Sequence, residues 1–154
     1  MRFVVTFVLC VALCGSAAIT SAVEVESDCQ TVRGTIEAEI IGAGDGCLAN
    51  IAGEVFDETG AQIGTTTACI ENLVQRSSGG AIHAELHHTY TIGSLTFRTE
   101  DEGVLARLES DVLLFENRLT IVDGATGFLR AHGIINGSEI NLSFTGRICE
   151  VPAD

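Results

Sequence analysis

EINLSFTGRI, residues 139 to 148, sets Ile140, Leu142, Phe144 and Ile148 at alternate positions, with Glu139, Asn141, Ser143, Thr145 and Arg147 between them. Successive side chains of an extended chain point to opposite faces, so this spacing predicts a strand with one oily and one wet side. The same period recurs outward from it. In TIEAEI (35 to 40), Ile36, Ala38 and Ile40 share a face against Thr35, Glu37 and Glu39. In SLTFRT (94 to 99), Leu95 and Phe97 oppose Thr96 and Arg98, and in FENRLTIVD (115 to 123), Phe115, Leu119 and Ile121 fall together. Clusters of turn-forming residues separate the runs: GAGDG at 42–46, DETG at 57–60, SSGG at 77–80, DEG at 101–103 and NGS at 136–138. The stretch GVLARLESDVLLFE (103 to 116) admits either a helical turn or an irregular crossover. About eight short strands with one apolar face each predict an all-β domain, as a small closed antiparallel barrel or a two-sheet sandwich. Closure removes exposed strand edges, which favours the barrel of about eight strands.

The chain opens with Met1-Arg2, an apolar run FVVTFVLCVALC (3 to 14) and the small-residue stretch GSAAITSA. A positive start, a short apolar segment and small residues compose a signal peptide, expected over residues 1–22 and removed on export. Lipid attachment at Cys14 is the weaker reading, because Leu13 precedes it where lipoprotein processing favours a small residue. The remainder, residues 23–154, is about 130 residues long, enough for one domain with its own core. It contains no stretch long and apolar enough to predict a membrane-spanning helix. The expected location is therefore secreted or periplasmic.

The 154 residues carry 21 acidic against 8 basic side chains, a formal net charge of -13. Nucleic acids and anionic lipids are held by clustered Lys and Arg, so neither is an expected partner. Of six cysteines, Cys10 and Cys14 leave with the leader, and Cys29, Cys47, Cys69 and Cys149 remain. An even number in an oxidising compartment predicts two disulfides. Cys47 and Cys69 flank FDETGAQ almost symmetrically, so a hairpin there would bring them together and leave Cys29 to Cys149. No close Cys pair of the zinc-site kind occurs, and no metal or cofactor motif stands out.

Three of the four histidines lie in GGAIHAELHHTYTI (79 to 92). With period two, Ile82, Ala84, Leu86, His88, Tyr90 and Ile92 face inward, while His83, Glu85, His87, Thr89 and Thr91 face water. On the outer row His83 and His87 are four residues apart, roughly 14 Å along a strand, too far to share one ion. A solvated face is the plain reading. Inside, His88 and Tyr90 interrupt an apolar row, as Asn117 does among Phe115, Leu119 and Ile121. Buried polar groups need partners. Two readings follow: the three residues orient one small, mainly hydrophobic ligand, or they satisfy one another in a filled barrel. His88 is the candidate catalytic base should a cavity exist. There is no Gly-x-Ser-x-Gly elbow and no free cysteine, which disfavours hydrolase chemistry.

LTIVDGATGFLRAHG (119 to 133) resembles the glycine turn of the allene oxide cyclase and dirigent barrels and their secreted bacterial relatives. Gly124, Phe128, Ala131 and Gly133 fall on matching positions, Asp123 stands where the family has its first glycine, and Thr126-Gly127 is shifted by one. The motif carries no acid, base or nucleophile, so no catalytic residue transfers through it. The resemblance implies a barrel that confines a reactive hydrophobic intermediate and steers its cyclisation or isomerisation without a cofactor. It also implies association into homo-oligomers. The competing expectation is a non-catalytic secreted structural or protein-interaction module with a side-chain-filled barrel.

Overall fold

The computed structural model describes residues 29–75 and 80–151, so the expected leader lies outside the described residues. Eight strands follow one another: β1 (Cys29–Gly44), β2 (Cys47–Asp57), β3 (Gln62–Gln75), β4 (Ile82–Ile92), β5 (Leu95–Arg107), β6 (Val112–Asp123), β7 (Ala125–Asn136) and β8 (Glu139–Glu150). Each pairs antiparallel with its chain neighbours, and β8 returns to β1, so the sheet closes as an up-and-down barrel. Closure, rather than a sandwich, is the arrangement adopted. The closing seam runs from Cys29 opposite Cys149 to Glu39 opposite Glu139.

The alternation written in the sequence is the alternation of the wall. Ile36, Val55, Leu86, Phe97, Phe115, Leu119, Leu129, Ile140 and Phe144 are buried inside. Between them, Glu37, Glu54, Glu85, Glu100, Glu102, Arg118, Arg130 and Arg147 are exposed outside. Both disulfides form as the spacing suggests. Cys29–Cys149 pins one end of the seam, and Cys47–Cys69 ties the start of β2 to β3.

Two stretches depart from the expected pattern. DEG at 101–103 is not a turn: it lies inside β5, with Asp101 and Gly103 directed into the barrel. Turn-forming composition misled there because the interior supplies what these residues need. Asp101 finds hydrogen-bond donors, and Gly103 leaves the space that the Phe115 ring occupies. The turn that does join β4 to β5 is Gly93-Ser94, with Gly93 at φ 57°. GVLARLESDVLLFE contains no helix; it is the end of β5, a short turn at 108–111 and the start of β6, closed by Leu108 N–H donating to the Val112 carbonyl. The 77–80 turn falls almost wholly outside the described residues.

The glycine turn of residues 119–133 has the structural role its composition suggests. Gly124 alone links β6 to β7 at φ 77°, with the Thr96 carbonyl where a Cβ would stand. A side chain there would meet both an unfavourable dihedral and a backbone oxygen.

Candidate functional site

Strands β4, β5 and β6 stand side by side, and their inward rows meet at one polar spot in an otherwise apolar wall. His88 on β4 lies directly across from Thr99 on β5, and Gly103 on β5 lies across from Asn117 on β6. Asp101 projects from between Thr99 and Gly103 with a side chain 0 % exposed. One of its carboxylate oxygens, Oδ2, takes both neighbours: His88 Nδ1–H donates to it from one side, and Asn117 Nδ2–H donates from the other at 3.2 Å. The carboxylate can only accept, so the imidazole proton sits on Nδ1.

Sequence reasoning placed His88, Tyr90 and Asn117 on the inner face, and the structure brings all three into this region. Tyr90 stacks on His88 with ring centroids 5.4 Å apart and on Phe97 at 5.2 Å, making a ladder of three rings. Burial holds the Tyr90 hydroxyl well above the usual phenol range, and the negative charge of Asp101 raises it further. The Thr66 hydroxyl beside it acts in the opposite direction. The phenol is accordingly neutral throughout the physiological range.

Asp101 was missed because it was read as part of a turn. The signal was present nonetheless: carrying the period from Phe97 through Thr99, Asp101, Gly103 and Leu105 puts all five on one face, and all five are buried. Four side-chain oxygens in this interior make no hydrogen bond among the described residues: Thr66 Oγ1, Thr99 Oγ1, Asp101 Oδ1 and Asn117 Oδ1. Each such buried group costs about 1–3 kcal/mol relative to a satisfied one. The cluster is therefore a charged, incompletely satisfied island in the core.

Space next to Tyr90 is small, in a void whose lining includes none of His88, Asp101 and Asn117. The interior void touching Tyr90 amounts to about 10 Å³ and is bounded by Ile36, Val55, Leu119, Leu129 and Phe144. Pockets that hold a drug-sized ligand are roughly 300–1,000 Å³, so this void accepts about one water. Side chains fill the barrel around Tyr90.

On the outside, His87 Nε2 lies 2.9 Å from Glu71 Oε2, and Asn72 donates to Glu85 at 3.2 Å. These contacts pair the polar row of β4 with residues of β3 that follow a bulge after Ile70. A shallow groove of about 460 Å³ runs past Glu71, Glu85, Glu100, Glu102, His87 and Arg118. Among the described residues no group of three or more His, Cys, Asp or Glu is arranged to hold a metal ion, and no helix is long and apolar enough to cross a membrane.

Comparison with protein-family models, with curated proteins and with solved structures returns no match to this chain. Likeness to the cyclase and dirigent barrels thus rests on the residues of the glycine turn alone.

Proposed function

We propose that this chain is an exported, non-catalytic barrel that acts through its outer wall, as a structural or interaction module. The observation that carries this reading is the interior: about 10 Å³ of void at Tyr90, with the barrel otherwise packed by its own side chains there. The His88–Asp101–Asn117 cluster then serves as an internal tie across three strands. Export is supported by the two disulfides, which persist in extracellular or periplasmic surroundings. Charged residues exposed along the middle of the strands support a wall that faces water, since a lipid-facing barrel has an apolar exterior.

The test is titration with a fluorescent fatty-acid analogue. The expected result is no saturable uptake. One-to-one uptake that is lost on replacing His88 or Tyr90 would overturn the reading.

One observation favours a second reading. Unpaired oxygens of Asp101, Asn117, Thr99 and Thr66 around Tyr90 are a costly feature for a merely packed core. Polar groups of this kind would orient a small, mainly hydrophobic molecule if the barrel widened to admit it. His88, held by Asp101, would then be the general base of a cofactor-free cyclisation or isomerisation of the kind the family resemblance implies. The same titration separates the two readings.

A further inference from the structure

A module that acts through its exterior is recognised by what that exterior carries, and here the charge is not evenly spread. Acidic residues outnumber basic ones by 21 to 8, yet three arginines gather on one face. Arg118 of β6 stands directly opposite Arg130 of β7. Arg130 stands opposite Thr145 of β8, and Arg147 of β8 stands opposite Phe128 of β7. Phe128 in turn faces Thr120 of β6. All six side chains are exposed, Phe128 by 48 %.

Residues directly opposed across antiparallel strands have Cβ atoms about 4.5–5.5 Å apart, and like charges so placed repel. Glu102 lies across β5 from Arg118, but no ion pair closes between them. Among the described residues none of the three arginines has an ion pair or a side-chain hydrogen bond. Arg130 and Arg147 therefore carry positive charge with no acidic residue directly opposite, beside an exposed aromatic ring and two hydroxyls, while Arg118 at the edge of the face stands opposite Glu102. An anion seated here relieves the repulsion.

We propose that the β6–β8 face binds an acidic polysaccharide that carries uronate carboxylates; the proposal rests on the reading of a filled barrel acting through its wall. Guanidinium forks match carboxylates in a bidentate geometry. The Phe128 ring offers a flat apolar surface to the C–H face of a sugar, a contact that a simple anion would not use. Thr120 and Thr145 add hydroxyls able to donate to or accept from sugar hydroxyls. Nucleic acid is the poorer match, because duplex DNA bears a charge every ~1.7 Å of its axis and suffers most from the surrounding acidity.

The experiment is native affinity electrophoresis of the mature protein in gels containing polygalacturonate, neutral dextran or inorganic polyphosphate. The wild type is expected to be retarded by polygalacturonate and not by dextran, with the effect weakening as salt is added. Combining Arg118→Gln, Arg130→Gln and Arg147→Gln should lower the apparent affinity by about tenfold, as three exposed charge contacts imply. Phe128→Ala should weaken retardation by polygalacturonate several-fold and leave that by polyphosphate unchanged. Unretarded wild type, or a triple variant retarded as strongly as the wild type, would overturn the proposal. So would equal retardation by polyphosphate with Phe128→Ala inert, which is plain ion exchange. If the triple variant instead changes only the sedimentation of the protein, the occupant is a second copy of the chain and the glycan is wrong. Failure in these gels without uptake of the fatty-acid analogue removes the partner but not the module; uptake of that analogue removes the module reading itself.

Discussion

The His88–Asp101 contact is best tested by a double-mutant cycle with leucine at each position. His88→Leu leaves the Asp101 carboxylate wholly buried with Asn117 as its only donor. Removing one partner of a buried pair costs about 3–5 kcal/mol, because the remaining charge is uncompensated. Asp101→Leu removes the charge and strands two donors, the His88 ring N–H and the Asn117 amide, each at about 1–3 kcal/mol. A total of about 2–6 kcal/mol follows for that single change. The double replacement leaves only the Asn117 amide unsatisfied and adds apolar packing, so it should cost about 1–3 kcal/mol. The two single losses then exceed the double loss by about 6 kcal/mol, far above the scatter of independent sites. Equilibrium urea unfolding of all four proteins with disulfides intact measures each quantity, provided the slopes agree. Additive losses, or a His88→Leu cost below about 1 kcal/mol, would refute the idea that these two residues form one buried unit.

Tyr90 is the one tyrosine in a chain with no tryptophan, so its ionisation can be followed by absorbance without interference. Its phenol is held up by burial first and by Asp101 second. The contribution to stability is present below the unfolded value near 10 and is lost as pH rises through the folded one. Phenolate absorbance should therefore appear only with alkaline unfolding; a reversible titration near 10 in the folded protein would contradict the burial. The two disulfides should differ in worth, since Cys29–Cys149 spans 120 residues and Cys47–Cys69 spans 22. Chain entropy gives about 5 and about 3 kcal/mol respectively, and urea midpoints of the paired Cys→Ala variants should rank that way. Gly124→Ala, at φ 77° against the Thr96 carbonyl, should cost about 1–3 kcal/mol, and an unchanged melting temperature would deny the turn its structural role. Gly103→Ala should likewise destabilise by about 1–3 kcal/mol by pushing on the Phe115 ring, detectable in the same thermal scans.

Much of the barrel was legible residue by residue. Ile140, Leu142 and Phe144 announced the inner face of β8, and Ala84, Leu86, His88 and Tyr90 that of β4, because pleat geometry makes every second residue a neighbour in space. Cys47 and Cys69 could be paired because the hairpin between them is short. Asp101 escaped notice for the opposite reason. An acid next to Glu102 and Gly103 is turn-like by composition, and what makes it tolerable inside a strand is two donors 13 and 16 residues away.

Local patterning by itself determined that the chain would form about eight two-faced strands, which face of each would be oily, and where His88, Tyr90 and Asn117 would point. Whether those strands would close, whether the closed interior would be hollow or full, and that Asp101 would join His88 to Asn117 were decided only by tertiary structure. Alternation is a property of neighbouring peptide units, whereas closure, free volume and the satisfaction of a buried carboxylate depend on side chains that meet across strands distant in the chain.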